Sequence, residues 1–396
     1  TADHPGQHQS PIVSTLWTTR GSGAAASAPL VPSVDGLVSR PPSHSKICVM
    51  YPFAGDLSLR DKYRSPWDTV RAGKVLEDLD ALAGSIAAEH VKDHTGVVPE
   101  WLLLVTASVD RITVQRQHAD IKLDMEMVGF VTFVGRSSIE IKMRAQCEGK
   151  EHPWISATFT FVARDNRTGK AAVVNHLLPE TPEEVAEWEA GQRRAAAKKA
   201  IRAGKHTDKL PSGHEFEAIP DYVSDPQAYA AEALEAAQTL IRMPALADPG
   251  TILMRDTRLA NALICQPQQR NTAGRIFGGF LMRRGFELAF STAYLFGGQR
   301  PHFVEVDDVV FAKPVSVGDL LQLESRVLYT RVIHGQPHIC VEVTASVTKP
   351  EARTSALSNT FAFTFTLNAG SDVKRILPAT RSEASRMVQR MNADAV

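Results

Sequence analysis

Residues 278–298, GGFLMRRGFELAFSTAYLFGG, are the stretch of sequence that decides the fold. The segment begins and ends with a glycine pair and is apolar nearly all round between them, which predicts a buried helix. A second helix is predicted between Gly73 and His90, where apolar residues recur at helical spacing at Val75, Leu79, Leu82 and Ile86. A run of strands is predicted after each helix.

Alternation of apolar and polar residues predicts these strands at residues 139–147, 341–348 and 361–367. Residues 165–169, DNRTG, predict a hairpin turn between two strand runs. Residues 104–110 and 303–307 are weakly matching copies of one strand, and each ends at an aspartate. The pattern repeats after about 200 residues, too long for a solenoid. We therefore predict an α+β fold of two fused domains, each a sheet curled around one central helix.

Length and composition limit the class of protein. A chain of 396 residues fits two domains, and 44 basic against 44 acidic residues argue against a nucleic-acid partner. No apolar run approaches the roughly 20 residues of a transmembrane helix. The four cysteines are widely scattered, without a CxxC pair, which indicates free thiols in a reducing compartment: Cys48, Cys147, Cys265 and Cys340.

Composition also predicts the domain limits. Residues 1–45, rich in Ser, Ala, Pro and Gly, predict a flexible segment, and their scarcity of acids is typical of sequence near an organellar cleavage site. Residues 46–180 and 250–370 are the two predicted domains. Residues 181–249 predict a helical connector whose first helix is N-capped by Thr181 and whose charges are solvated. Residues 371–396 are a polar tail.

Several motifs, taken in order, resemble those of a known family. Residues 271–279, NTAGRIFGG, resemble the N-x-x-G-x-x-H-G-G helix start of hotdog-fold acyl-CoA thioesterases. Residues 306–320, VDDVVFAKPVSVGDL, resemble the V-D…P-V…V-G-D-L run of the same family. The first half has GKVLEDLDALAG, VTASVD and GRSSIE at residues 73–84, 105–110 and 135–140. Together they are similar to the mitochondrial acyl-CoA thioesterase 9-like subfamily. Phe277 replaces the family histidine, and the first half keeps only Gly73 of the glycine pair.

The resemblance implies a fold, an activity and an assembly. It implies a double hotdog that hydrolyses fatty acyl-CoA at the interface of its two halves, with three chains forming a ring in the mitochondrial matrix. Coenzyme A is then part of the substrate, and neither a metal nor another cofactor is expected. The alternative is a hotdog protein that has lost turnover and binds acyl-CoA or serves as a structural subunit of a larger assembly.

The catalytic residues follow from the same resemblance. In the family, the helix acid lies seven residues after the second glycine, and the same count from Gly73 leads to Asp80. The resemblance assigns Asp80 as general base or nucleophile, Asn271 as the group that orients water or the carbonyl, and Gly278 and Gly279 as the backbone approached by the thioester. A carboxylate at an apolar helix edge would have a raised pKa and be a better base. By helical angle alone, Glu77 points away from the apolar stripe and is predicted to be solvated.

Coenzyme A needs groups that bind its phosphates. Arg136, Ser137 and Ser138 are the first candidates, because GRSS resembles the GKSS stretch of the family. Weaker candidates for binding the phosphates are Arg275, Arg283 and Arg284.

The double hotdog implied by the resemblance has two pseudo-equivalent sites at the interface of its halves. The family spacing predicts that the second of these sites is inactive. Ser65 stands where that site would need its asparagine, and Phe286 stands where it would need its acid. Glu287, one position away, is the alternative acid. HExxH, GxSxG and P-loop motifs are absent from the sequence, and the histidines show no metal-ligand spacing.

Overall fold

The computed structural model describes residues 31–32, 37–115, 118–202, 225–271 and 274–394. The chain divides into two compact units. Unit 1 comprises Thr1–His206, Ile264–Arg283 and Asp307–Asp319, and unit 2 comprises Thr207–Leu263, Arg284–Val306 and Leu320–Val396. The chain thus passes from one unit to the other inside a helix and inside a strand.

Unit 1 contains eight strands and three α-helices among its described residues before residue 206. The strands are β1 (Val31–Pro32), β2 (Val38–Arg40), β3 (Ile47–Tyr51), β4 (Leu102–Val114), β5 (Met125–Val134), β6 (Ser138–Cys147), β7 (Ile155–Asp165) and β8 (His176–Leu177). The helices are α1 (Leu57–Tyr63), α2 (Ala72–Val91) and α3 (Pro182–Arg202).

The sheet of unit 1 encloses α2. Its strands run in the order β4-β7-β6-β5-β3, and each neighbouring pair is antiparallel. The alternating apolar residues of β6 are buried, as the period-two pattern predicts. The helix packs against β4, β5, β6 and β7 and is buried on nearly all sides. A helix enclosed in this way needs polar contacts for every polar side chain it carries.

Helix α3 packs on β5. Its basic side chains were expected to be solvated, but Arg194 forms two hydrogen bonds with the buried Glu140 carboxylate, of 2.6 and 3.1 Å. Lys198 Nζ lies 2.5 Å from the Asp110 carboxylate. That prediction was wrong because Glu140 and Asp110 of the sheet need positive partners, which the charge pattern of the helix alone does not reveal.

Unit 2 contains the remaining elements, with β10, α5 and β11 divided between the units. They are α4 (Pro226–Arg242), β9 (Thr251–Leu253), β10 (Leu259–Ile264), α5 (Gly278–Gly297), β11 (His302–Phe311), β12 (Leu320–Ile333), β13 (Gln336–Lys349), β14 (Thr354–Thr366), β15 (Arg375–Leu377) and α6 (Arg381–Asp394). The sheet order is β10-β12-β13-β14. Buried aromatic rings fill the core: Phe286, Phe303, Phe361, Phe363 and Phe365.

The internal repeat is longer than the sequence patterns indicate. In unit 1, β2 pairs in parallel with β8, and in unit 2, β9 pairs in parallel with β15. A 3-10 turn follows the first strand of each pair. Its hydroxyl accepts a backbone N–H from the sheet, Ser45 from Val131 at 3.0 Å and Thr257 from Val327 at 2.9 Å.

The last strand of each repeat is followed by the same cap. Residues 178–184 and 377–383 share the pattern Leu-Pro-x-Thr-x-x-Glu. Thr181 accepts a hydrogen bond from the Glu184 N–H at 3.2 Å, and Thr380 accepts one from the Glu383 N–H at 3.2 Å. Each glutamate accepts the threonine N–H in return, so both helices begin with a capping box. The N-cap predicted at Thr181 is confirmed.

The predictions for the N-terminal segment and for the C-terminal tail both need correction. Residues 1–30 and 33–36 lie outside the described residues, but Val38, Arg40 and Ser45 are buried, so residues 38–45 are not a loosely attached segment. The tail was interpreted as merely polar, yet α6 packs on α4 and β12 and buries Met387 and Met391. The domain limits 46–180 and 250–370 stay a prediction.

None of the helices among the described residues is both long enough and apolar enough to cross a bilayer. Cys147, Cys265 and Cys340 are buried, Cys48 is exposed, and all four are free thiols.

Candidate active site

Asp80 lies in the middle of α2 and is 1% exposed. The sequence pattern placed it at the edge of an apolar stripe, where most acids are solvated. In the structure α2 has no solvated side at this level, because Glu77 and Asp78 are also buried. The prediction that Glu77 is solvated was wrong for this reason.

The Asp80 carboxylate is held by two donors. The backbone N–H of Gly279, in the first turn of α5, donates to Oδ2 at 2.6 Å. The Thr106 hydroxyl on β4 donates to Oδ1 at 3.0 Å. All three residues belong to unit 1. A helix N-terminus presents free N–H groups and the positive end of the helix dipole, so it is a favourable partner for a carboxylate.

Burial sets the protonation behaviour of this carboxyl. Desolvation is the largest influence and raises the pKa of Asp80 to about 6, while the hydrogen bonds from Thr106 and Gly279 lower it and the Glu77 charge raises it. The direction agrees with the sequence expectation for an acid among apolar neighbours. Such a group is ionised at neutral pH and is still basic enough to accept a proton.

The glycine pair allows the close approach of α5 to α2. A Cβ on Gly279 would lie 2.7 Å from the Glu77 carbonyl oxygen and 2.8 Å from Cε1 of Phe277. A Cβ on Gly278 would lie 3.0 Å from Asp80 Oδ2 and 3.2 Å from the Phe311 ring. Any larger residue at position 279 would push the helix start away from the carboxylate. Gly278 therefore lies directly beside the Asp80 carboxylate.

Glu77 and Arg283 form an ion pair next to this contact. Arg283 Nη1 donates to Glu77 Oε2 at 2.9 Å, and the exposed side-chain fractions are 24% and 5%. Arg283 was considered as a weak candidate for binding coenzyme A phosphate; in the structure its guanidinium is engaged by Glu77.

Asn271 lies in the turn that leads into α5. Its side-chain Oδ1 accepts the Arg275 N–H at 3.1 Å, and its own N–H donates to the Arg275 carbonyl at 2.6 Å. Phe277, in place of the family histidine, is buried, and its N–H donates to the Gln269 carbonyl at 2.9 Å. Arg275 is exposed and forms a backbone bridge with Ser316. Asn271 and Arg275 therefore share one turn, directly before the helix start that contacts Asp80.

Arg136, Ser137 and Ser138 lie at the turn between β5 and β6, where the Gly135 N–H donates to the Ser138 carbonyl at 2.9 Å. Arg136 is exposed. Ile139 and Thr106 both pair with Phe161 of β7, so position 139 is two strands from Thr106, or about 10 Å across the sheet. The turn is thus on the same level of the sheet as the Asp80 contact.

Thr106 is the residue that sequence reasoning missed. It lies inside the VTASVD stretch at residues 105–110 that carried part of the resemblance, but no role was assigned to it. A polar residue in a strand that faces the central helix was the available signal.

The positions of the predicted second site lack a buried carboxylate held by such donors. Phe286 is 7% exposed and packs at centroid distances of 5.0 and 5.8 Å from Phe303 and Phe363. Ser65 closes a local turn through a 2.7 Å contact between its hydroxyl and that of Thr69. Glu287 is paired with Arg284 at 3.0 Å on its own helix. Among the described residues no cluster of three or more His, Cys, Asp or Glu suits a metal ion.

The known proteins that this chain is similar to are acyl-CoA thioesterases. No family model matches the chain. Acyl-coenzyme A thioesterase 2, chloroplastic, of Humulus lupulus is 44% identical over 408 residues, covering 99% of this chain and 90% of that protein. Acyl-coenzyme A thioesterase 9, mitochondrial, of Homo sapiens is 36% identical over 360 residues, covering 90% and 78%. A solved apo-hexameric acyl-CoA thioesterase is 26% identical and covers 42% of this chain and 97% of its own, with a TM-score of 0.35.

The α+β fold, with antiparallel sheets and a buried helix carrying an acid, is that of a hotdog thioester hydrolase, as the sequence predicts. The chain belongs to the acyl-CoA thioesterase family. The predicted family and enzyme class are therefore confirmed.

Proposed function

We propose that this protein hydrolyses fatty acyl-CoA to a free fatty acid and coenzyme A, with Asp80 as general base. The observation that carries the proposal is the buried Asp80 carboxylate, held at 2.6 Å by the first turn of α5. Burial raises the pKa of Asp80 to about 6, so the group is ionised at neutral pH and remains a competent base. The family relationship supplies the substrate class.

In the proposed reaction, water attacks the thioester carbonyl carbon while Asp80 accepts a proton from that water. A C–O bond forms, and the C–S bond breaks when the tetrahedral intermediate collapses. The proton held by Asp80 then passes to the departing thiolate, which leaves as coenzyme A. The hydrogen bonds from Thr106 and Gly279 fix both carboxylate oxygens, so the base is preorganised before substrate binds.

The oxyanion that develops on the carbonyl needs hydrogen-bond donors. The first turn of α5 is the proposed source, because its N–H groups lie at a helix start and Gly278 is only partly buried. The Gly279 N–H, predicted as a donor to substrate, already donates to Asp80 in this structure. Asn271, in the adjacent turn, is the proposed group that orients water or the carbonyl.

Coenzyme A binding is assigned to the turn at Arg136, Ser137 and Ser138. The exposed guanidinium and two hydroxyls suit phosphate groups, and the extended pantetheine arm is long enough to cross the sheet to Thr106. Arg275 is the second proposed contact, because it is exposed and belongs to the turn before α5.

Thiol release from acyl-CoA, followed with a colorimetric thiol reagent, tests the proposal. We expect Asp80→Asn to lower kcat by about 10²–10⁴-fold, the range for loss of a general base. Glu287→Gln is the matched control, because Glu287 is the acid next to the counterpart position, and it should keep the wild-type rate. Loss of activity in Glu287→Gln with normal activity in Asp80→Asn would reverse the assignment. No release by wild type above background would favour the inactive acyl-CoA-binding alternative.

We also propose that three chains assemble into a ring and that the protein acts in the mitochondrial matrix. The resemblance implies both properties, and one relative carries a mitochondrial name while another carries a chloroplastic name. Light scattering after size exclusion should give three times the chain mass. Fractionation of mitochondria with protease protection should find the protein inside the inner membrane.

A further inference from the structure

Glu77 and Arg283 connect the two helices one turn away from the Asp80 contact. Glu77 and Asp80 are three residues apart on α2 and therefore on the same side of that helix. Arg283 lies four residues after Gly279, on the same side of α5 as the N–H that binds Asp80. The Glu77–Arg283 ion pair, with an N–O distance of 2.9 Å, thus lies beside the 2.6 Å hydrogen bond from Gly279 to Asp80.

We propose that Glu77 and Arg283 are positioning residues, a partly buried ion pair that clamps the first turn of α5 onto α2 and balances the charge next to Asp80. This inference rests on the proposed thioesterase activity. Glu77 alone would be a like charge beside the base, and Arg283 neutralises it. The pair therefore determines both where Asp80 is held and how readily it ionises.

The charges around Asp80 support this assignment. From α2 the neighbouring charge is Glu77, which acts to raise the pKa of Asp80, and Glu77 is itself paired with Arg283 of α5. Thr106, the contact from β4, is uncharged. On β11, the ring of Phe311 lies near Gly278, beside Asp80. Asp307 shares a face of the same strand with Phe311 but is about 13 Å along the strand from it.

Other charged groups of these elements are engaged elsewhere. Tyr51 and Tyr63 donate to Asp78, and Lys198 binds Asp110. Lys74 Nζ lies 5.5 Å from the ring centroid of Tyr63, and the Arg283 and Glu77 charges act on it in opposite directions.

The pH dependence of kcat/KM in a set of variants tests the inference. Wild type should show a midpoint near the Asp80 pKa of about 6. Arg283→Met leaves Glu77 unbalanced and should move the midpoint up by about one pH unit, whereas Glu77→Gln leaves Arg283 unbalanced and should move it down by a similar amount. Arg283→Lys should restore the midpoint, because it restores the charge.

The double variant Glu77→Gln/Arg283→Met removes both charges, so its midpoint should return close to that of wild type. It also keeps the experiment decisive if Arg283→Met fails to fold because the buried Glu77 has lost its arginine partner. Arg258→Met is the matched control, because Arg258 pairs with Glu324 at 2.8 Å in unit 2 and its loss should leave the midpoint unchanged.

Unchanged midpoints in both single variants, with hydrolysis still measurable, would overturn the inference and leave the proposed activity intact. The same result with reduced stability only would assign the pair a purely structural role. Full activity of Asp80→Asn would instead refute the proposed mechanism.

Discussion

At the scale of single residues, the candidate site depends on keeping a carboxylate where water is excluded. The Asp80 side chain has no solvent shell, and two donors replace only part of that hydration. The proposed general base therefore lowers the stability of the fold at neutral pH. Enzymes commonly sacrifice stability at their active sites in this way.

This conflict gives a stability prediction for Asp80→Asn. The folded-state pKa of about 6 is above the ordinary value of 3.8, so the carboxyl favours the folded protein while protonated and loses that advantage as pH rises through 6. A difference of about two pH units corresponds to about 3 kcal/mol. Asn can accept from Gly279 and donate to Thr106 without a charge. We expect the variant to exceed wild type in unfolding free energy by up to about 3 kcal/mol at pH 8.

Urea unfolding at several pH values between 4 and 8 checks this prediction. The gain in unfolding free energy of Asp80→Asn over wild type should grow between pH 4 and 6 and level off above pH 6. Asp61→Asn, at an exposed position of α1, controls for the change of residue type. A gain that is constant with pH would show that the effect is not electrostatic.

The sequence was sufficient to propose Asp80 as the acid but not to predict its contacts. Family spacing from Gly73 identified the residue, and the glycine pair identified the helix start that holds it. Thr106 and Arg283 lie far from Asp80 in the sequence, and their contacts with α2 depend on how the chain folds. Glu77 was misjudged because helical angle describes one helix and not what covers it.

At the scale of elements, the flanking helices α3 and α6 belong to the repeat. Each begins with a capping box after a short parallel strand, and each places an arginine against a buried glutamate of the sheet. Arg194 binds Glu140 of β6, and Arg386 binds Glu342 of β13. Glu140 pairs with Thr160 and Glu342 with Ala362, at matching places in the two sheets.

Helical and alternating periodicities predicted α2, α5 and β6 to within one residue at each end, because those elements are amphipathic or fully buried. The strands β13 and β14 begin five and seven residues before the predicted starts at 341 and 361. The repeated Leu-Pro-x-Thr-x-x-Glu pattern is visible in the sequence but was not part of the predicted repeat. The short parallel strands beside it have two or three residues, too few for any periodicity to appear.

Arg194→Met tests the role of α3. The substitution leaves the Glu140 carboxylate, 6% exposed as a side chain, without its positive partner, so we expect a loss of roughly 2–4 kcal/mol in unfolding free energy. Arg193→Met is the matched control, because Arg193 is 60% exposed and its pair with Glu189 spans 3.9 Å. Its loss should cost less than about 0.5 kcal/mol. Equal losses in the two variants, measured by urea unfolding, would show that the buried pair adds nothing.

At the scale of the whole molecule, two units share one fold but differ in chemistry. In unit 1, α2 carries Asp80 at a position where the sheet and a helix start supply donors. In unit 2 the counterpart is Phe286, surrounded by aromatic rings that stabilise a core and accept no proton. Only one of two equivalent acids is needed if one site performs the reaction, and the other position is then free to increase packing.

Phe286→Asp tests whether the molecule retains a dormant second site. In the Asp80→Asn background, the new acid should not restore hydrolysis, because Ser65 provides no amide and the local donors are missing. It should also lower unfolding free energy by about 4 kcal/mol or more, because an unpaired carboxylate replaces a ring in the aromatic core. Leu295→Asp, on the same helix at a position 72% exposed, should cost far less. Titration of wild type with a non-hydrolysable acyl-CoA thioether should give one bound molecule per chain. Thiol release restored by Phe286→Asp, or two bound molecules per chain, would contradict the single-site arrangement.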